Sequence, residues 1–403
     1  MTITETIDVT DATGSSDDET FAVAVDVGGT FTDVCVLSSK GTLSVAKVSS
    51  TPSDPMIGVL AGIDESGVDL SRVTLISHGT TVATNALITR NFPPSAMVTT
   101  AGFRDVIEIG RGTRDDLWDV YRDTASPYIR RRDRLEVAER IEFSGNVLTP
   151  LDEDAAREVA RILRKRDVQT VAVCFINSFA NPRNEQRMRE ILAEELPEAR
   201  ISLSSDVLAE IFEHERFSIT VVNAVLSPLV SDCVRRLGES LENRGYAGDL
   251  LILHSGGGVM TPRIVEKFAA RLAASGLAAG AIANQHIAEL CGYGNAIGLD
   301  VGGTSTDIPM VHDGELFTTT KDSDPVFMWY DWMAGGWGGR NGKDGHTSVG
   351  AGFRCGTCGS GDRRAGTSRP GDHRESCDHP RLRRSGPVAR RMRHPEGWHP
   401  DPG

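Results

Sequence analysis

The sequence predicts an α/β fold. Three observations carry this. Short apolar runs of strand length alternate with longer stretches of helical apolar spacing between about residues 21 and 325. An eight-residue segment, Asp26–Asp33 (DVGGTFTD), returns as Asp300–Asp307 (DVGGTSTD) with a single change. Each copy ends one apolar run and opens another, so both read as glycine turns between strands.

Residues 1–20 are acidic and polar and read as a disordered leader. Phe21–Asp26 is a strand, Gly28–Gly29 a turn, and Thr32–Ser38 and Thr42–Val48 complete a three-stranded meander. Pro55–Glu65 has helical spacing. Leu75–His78 is a buried strand that runs into Gly79–Thr80–Thr81, and Val82–Thr89 is a short helix. Thr149–Asp152 reads as a helix start, with Thr149 as N-cap and Pro150 at the first helical position. Ala155, Ala156, Val159, Ile162 and Leu163 continue that helix. Thr170–Phe175 is a strand, Asn181–Pro182 opens a helix to about Leu196, and Arg200–Leu203 is a strand. Arg216–Asn243 is helical, with Pro228 expected to break or kink it. Leu250–Leu253 is a strand before Gly256–Gly258. Ile264–Leu272 and Ala278–Leu290 are helical. Ala296–Asp300 and Asp307–Val311 are strands around the second glycine pair.

Composition bounds the function. No uninterrupted apolar run approaches the roughly 20 residues of a bilayer span, and the N-terminus lacks the order of a secretory signal. Cys35, Cys174, Cys233 and Cys291 are spread singly, which argues against a disulfide framework and for a reducing, cytoplasmic setting. The net charge of −13 hides a split. Residues 331–403 hold 13 Lys and Arg against 8 Asp and Glu, and 16 of the 42 Gly. Only Val349, Leu382 and Val388 supply aliphatic bulk there, too little to offset chain entropy. Four regions follow: the leader 1–20, a first domain 21–205, a second domain 206–330 with the second glycine motif, and a non-globular basic tail 331–403. Cys355 and Cys358 have a zinc-ligand spacing, followed by His373, Cys377 and His379, but without apolar support. Acids mixed into the tail, with no interleaved aromatics, argue against nucleic-acid binding.

The repeated motif suits a polyphosphate. Paired glycines leave backbone N–H groups open to an anion, and threonine hydroxyls add donors. Gly28, Gly29, Thr30 and Thr32 are expected to line phosphate oxygens from one side, and Gly302, Gly303, Thr304 and Ser305 from the other. Asp26 and Asp300 are expected to hold Mg²⁺ and to lie nearest the attacking oxygen; capping of their own turns is the plainer role. Asp33 and Asp307 close the hairpins. His78, at a strand end, suits proton relay or substrate contact, and equally a hydrogen-bonded structural place.

The paired motif resembles the phosphate loops of the sugar kinase, Hsp70 and actin superfamily. Four further segments narrow this: HGTTVATNALI (78–88), TTAGFRDVIEIGR (99–111), SFANPRNEQR (178–187) and HERFSITVVNAVLSPLV (214–230). With them, residues 21–325 are similar to the hydantoinase A / 5-oxoprolinase family, which includes N-methylhydantoinase and acetone and acetophenone carboxylase subunits. The resemblance implies an actin-like ATPase architecture of two ribonuclease-H-like domains, the second incomplete here. It implies ATP and Mg²⁺ as cofactors. It also implies hydrolysis of a cyclic amide, hydantoin or 5-oxoproline in type, through phosphorylation of the amide oxygen. A ketone carboxylase subunit and a non-catalytic scaffold subunit are the alternatives. A hydantoinase-B-like subunit is the implied partner, with neither nucleic acid nor membrane. Arg104, Glu108 and Arg111 fall in these segments, one of them a candidate substrate contact, with a surface ion-pair network as the plainer role; for His214, Glu215 and Arg216 a site role stands beside a plain helix start. Leu277 stands where the family usually has proline. The resemblance fades after about Lys321, and the remainder has the composition of a GC-rich gene read in another frame, as in a truncated or frameshifted relative.

Overall fold

The structure is a computed structural model that describes residues 3–8, 19–51, 54–111, 126–301 and 306–316. The chain opens with β1 (Ile3–Asp8), β2 (Phe21–Val27), β3 (Phe31–Ser38) and β4 (Thr42–Ser49). Strands β2 to β4 form the expected antiparallel meander. Alternation drives it: Val23, Val25 and Val27 face inward on β2, and Thr32, Val34 and Val36 on β3. Strand β1 occupies part of the stretch expected to be a disordered leader. It pairs antiparallel with β4, Ile3 opposite Lys47 and Asp8 opposite Thr42. The open edge of β4 explains the difference, because unpaired N–H and C=O groups there accept a strand.

Helix α1 (Pro55–Ser66) starts at Asp54, whose side chain accepts from the Met56 N–H, and ends at left-handed Gly67. Strand β5 (Val73–Thr80) then lies parallel to β2. The chain leaves this sheet through α2 (Val82–Thr89) and builds a second one. Strand β6 (Ser95–Thr100) leads to α3 (Val106–Ile109), β7 (Arg134–Val137) and a small ribbon of β8 (Arg140–Ile141) and β9 (Val147–Thr149). Then come α4 (Glu153–Lys165), β10 (Thr170–Cys174), α5 (Arg183–Glu195), β11 (Arg200–Leu203) and α6 (Ser204–Val207). The expected cap of α4 moves: Thr149 ends β9, and Asp152 caps the helix by accepting from Ala155 N–H at 3.0 Å. An Asp one residue before the first helical turn outcompetes the earlier Thr-Pro pair.

The second sheet is parallel throughout, in the order β11-β10-β6-β7. Parallel strands are buried on both faces, and β10 (TVAVC) is buried at every position. One face, with Val98, Val171 and Val173, packs on α4 and α5. The other, with Met97, Ala172 and Cys174, packs on α7 (Glu213–Asn243).

Helix α7 joins the two sheets. Its first half packs on the second sheet, while Leu237 and Leu241 reach the core of the first. Among the described residues it is the one helix long and apolar enough to cross a membrane, yet 72% of its apolar window is buried in the protein. Pro228 does not break it. A proline removes the bond to the carbonyl four residues earlier, and that Ala224 carbonyl accepts the Thr170 hydroxyl at 2.7 Å. Thr170→Val leaves this buried oxygen unpaired. The expected cost is about 1–3 kcal/mol, measured as a lower urea midpoint with an unchanged slope.

After α7 the chain returns to the first sheet. Strand β12 (Asp249–Leu253) pairs parallel with β5, and β13 (Val259–Met260) extends it. The sheet order is β1-β4-β3-β2-β5-β12-β13. Its central five strands follow the ribonuclease-H-like order, third, second, first, fourth, fifth. The second sheet is an insert between the fourth and fifth. A division at residue 205 therefore does not follow the sheets, because residues 206–260 complete the first one. Helices α8 (Pro262–Val265) and α9 (Ser275–Leu290) follow, with a 3-10 turn at Ala269–Leu272 where one continuous helix from Ile264 is expected. Strands β14 (Ala296–Ile297), β15 (Asp300–Val301), β16 (Thr306–Asp307), β17 (Met310–His312) and β18 (Glu315–Leu316) close the described chain. Gly302–Ser305 and the tail 331–403 lie outside the described residues.

Candidate functional site

The parallel strands β2, β5 and β12 end at one edge of the first sheet, the place where open α/β sheets bind ligands. Asp26 stands there at the end of β2, opposite Asp33 on β3 and beside Gly79 on β5. A β-carbon at Gly79 would lie 3.0 Å from Asp26 Oδ1, so glycine gives the carboxylate its room. The Asp26 side chain is open to solvent on one side and crowded by protein on the others. That crowding, then the negative charges of Asp33 and Asp300, push its carboxyl above the usual range, with Lys47 offsetting part. Lys47 donates to Asp33 at 2.5 Å. Asp300 stands on β15 opposite Asp307, the register in which Asp26 stands opposite Asp33. The Gly280 β-carbon position lies 3.9 Å from Asp300 Oδ2, so α9 borders the same acid.

The first glycine turn is fixed from behind. Gly28 N–H donates to the Phe31 carbonyl, Ser50 N–H to the Thr30 carbonyl and Ser50 Oγ to the Gly28 carbonyl, each at 2.9 Å. Gly29 and Thr30 are left exposed at the rim. Thr32 departs from its expected place on the phosphates. It shares the buried face of Val34, its hydroxyl pairs with Ser50 Oγ at 2.9 Å, and Gly58 of α1 packs over it. The two-residue period of β3 sends it inward.

His78 also departs from expectation. It lies in register with buried Val25 and Ile252, so its ring shares their face, away from Asp26 and Gly79. Only 2% of it is exposed, and Nδ1 has no hydrogen-bond partner among the described residues. Burial pulls its pKa down to about 4, so the ring is neutral at pH 7. The unfolded chain binds this proton near pH 6.5 and the folded chain only near pH 4. Stability therefore falls as pH drops through that window and levels off below it. Chemical unfolding at pH 7 and pH 4 should show His78→Leu sparing a loss on the order of 3 kcal/mol that the parent suffers.

Two helix starts complete the edge. Thr81 Oγ1 donates to the Val27 carbonyl at 3.0 Å, tying α2 to β2. Ser275 Oγ donates to the Thr80 carbonyl, and Ala274 N–H to Thr84 Oγ1 at 2.8 Å, tying α9 to α2. Ala274 takes a left-handed φ of 56° just before α9, and Leu277 then sits in the first turn of an intact helix. The partly positive starts of α2 and α9 thus lie at the edge that carries Asp26 and Asp300. Sequence reasoning missed Ser50, Ser275 and Thr84. A lone Ser or Thr in a loop carries no signal of the carbonyl it will meet.

Comparisons with known proteins bear on the family and the fold. Residues 22–196 match the model of the hydantoinase/oxoprolinase N-terminal region, and residues 216–328 match the hydantoinase/oxoprolinase model. The chain belongs to the hydantoinase/oxoprolinase family. An uncharacterized protein of Methanocaldococcus jannaschii is 37% identical over 75% of this chain and 45% of its own length. The acetophenone carboxylase gamma subunit of Aromatoleum aromaticum is 36% identical over 73% of this chain and 43% of its own length. The crystal structure of the ATP-dependent caprolactamase from Pseudomonas jessenii superposes with a TM-score of 0.64 at 32% identity, over 72% of this chain and 43% of that one. The chain spans less than half the length of the relatives it matches.

Three of the segments that carry the family resemblance, 99–111, 178–187 and 214–230, meet at the corresponding edge of the second sheet. Glu185 is fully buried and accepts four hydrogen bonds, from Phe175 N–H, Ser204 Oγ, Ser205 N–H and Ser205 Oγ. Buried Arg216 donates to Ser178 Oγ at 3.0 Å and the Phe175 carbonyl at 3.1 Å. Its guanidinium stands 5.2 Å from the Phe217 ring centre. Glu139 accepts from Thr100 and Asn184, and burial raises its carboxyl. Arg111 pairs with buried Glu215, and Arg134 with Glu108 at 2.6 Å. Glu215 and Arg216 lie at the start of α7, the helix start that the sequence suggests, and both are buried there.

Proposed function

We propose that this chain binds Mg–ATP between its two glycine hairpins and serves an enzyme that activates a cyclic amide by phosphorylating the amide oxygen. One observation carries the reading. Asp26 and Asp300, each at the same register position of a repeated hairpin, are near enough for Asp300 to raise the proton affinity of Asp26. The ATP-dependent caprolactamase relative supports the lactam side of it.

The residues present fit Mg²⁺. Among the described residues no group of three or more His, Cys, Asp or Glu forms a closed metal cage. Mg²⁺ asks for less, one or two carboxylates with phosphate oxygens and waters. Asp26 and Asp300 supply those carboxylates, and their mutual repulsion is what a cation relieves. Bound Mg–ATP supplies the phosphoryl group that turns the amide oxygen into a leaving group. The exposed Gly29–Thr30 turn and the starts of α2 and α9 orient the phosphates. Asp26, with raised proton affinity, is placed to take the amide N–H proton that leaves as the amide oxygen is phosphorylated. The repeated sequence extends this proposed role to Gly302, Gly303, Thr304 and Ser305, which lie outside the described residues.

A second reading is a ketone carboxylase subunit, favoured by the 36% identity with the acetophenone carboxylase gamma subunit. Relatives named as subunits also support a hydantoinase-B-like partner. Phosphate release from ATP decides between the readings. It is measured with hydantoin, 5-oxoproline or caprolactam, and with bicarbonate plus acetophenone, each with and without such a partner chain. Stimulation by the cyclic amides supports the first reading and stimulation by ketone the second. No turnover under any condition, with no ATP-dependent thermal shift, defeats both.

A further inference from the structure

A second concavity lies at the opposite, amino-terminal edge of the second sheet. Its volume is about 810 Å³, the size of a small-molecule site. Arg90, Arg130, Arg132 and Arg166 line it, against the single acid Asp133. Asp133 is already shared, with Arg132 Nε at 3.3 Å and Arg166 Nη1 at 3.1 Å. Arg130 is exposed and forms no ion pair among the described residues. The lining therefore carries three positive charges in excess, within a chain of net charge −13.

One wall is aromatic. Phe92 meets Tyr128 edge to face, with ring centres 5.4 Å apart. The Tyr128 hydroxyl is shielded from solvent and lacks a hydrogen-bond partner among the described residues. Desolvation raises its phenol, so it remains a donor. Arg90 lies over the Tyr128 ring at 4.7 Å, held by the carbonyls of Ser126 at 2.7 Å and Pro127 at 3.2 Å. Its backbone is left-handed, with φ 53°, at the C-cap of α2, where glycine is the usual residue. An arginine held there at a conformational cost presents its side chain to this wall.

We propose that this cavity binds a small phosphate-bearing molecule, its phosphate on Arg130, Arg132 and Arg166 and its flat portion on the Phe92–Tyr128 wall. Planar guanidinium forks match phosphate oxygens in pairs, and an aromatic wall suits a ring. The site is independent of the ATP reading, since it uses the other sheet and the opposite strand ends.

Calorimetric titration of the full chain with phenyl phosphate, inorganic phosphate and benzyl alcohol tests it. Phenyl phosphate should bind with a submillimolar Kd, more tightly than inorganic phosphate, and benzyl alcohol should not bind. Arg130→Gln should weaken phenyl phosphate about tenfold. Its melting curve should be unchanged, because Arg130 is exposed. Asp26→Asn should leave binding unchanged. Four results would each overturn the proposal: no binding of phenyl phosphate at about 10 mM, inorganic phosphate binding as tightly, no effect of Arg130→Gln, or loss of binding in Asp26→Asn.

Discussion

Asp26→Asn should lower ATP turnover by about 10²–10⁴-fold and, at pH 7, raise the melting temperature. The two effects have one cause. At neutral pH the folded chain holds an ionised carboxylate where crowding and the charges of Asp33 and Asp300 disfavour it. The folded-state pKa is raised, so ionisation costs the folded state stability above the unfolded pKa near 3.8. Asparagine removes that cost and with it the negative charge that a metal and a proton need. The stabilisation should shrink as pH falls toward 3, where the parent is protonated too. Phosphate release and melting curves at pH 7 and pH 3.5 check both halves. A variant that loses activity and stability together would point to a structural Asp26 instead. Trading stability for a charged site is common in enzymes.

Glu185→Ala should be the most destabilising single change outside the apolar core. It strands two N–H groups, two hydroxyls and the neighbouring Arg216 charge in the interior. Breaking such a network costs about 3–5 kcal/mol. Glu185→Gln keeps the shape and one acceptor oxygen and should cost less. Denaturant unfolding of both variants measures the difference. Equal stability of the parent and Glu185→Ala would remove the network from any account of the fold.

Much of the fold is legible in the sequence because local pattern and tertiary role coincide there. The meander, α2 and β10 follow from alternation and strand-length apolar runs. The departures come from tertiary partners. Pro228 stays helical because a hydroxyl 58 residues earlier pairs the carbonyl it frees. Ile3–Asp8 is a strand because β4 offers an edge. At the site, Asp26, Asp300 and the exposed Gly29–Thr30 turn are where the repeated motif puts them. His78 and Thr32 are polar residues beside a glycine turn and look alike in sequence to those that face it. Strand parity separates them, and one position along a strand exchanges the site for the core.

The central claim is that ATP lies at the carboxyl edge of the first sheet. Hydrogen–deuterium exchange with ATP, with and without Mg²⁺, tests it most directly. The account predicts magnesium-dependent protection of residues 27–31, 79–84 and 274–278, with no change at residues 90–95 or 126–133. Protection confined to the arginine-lined cavity, or none at residues 27–31, would contradict it.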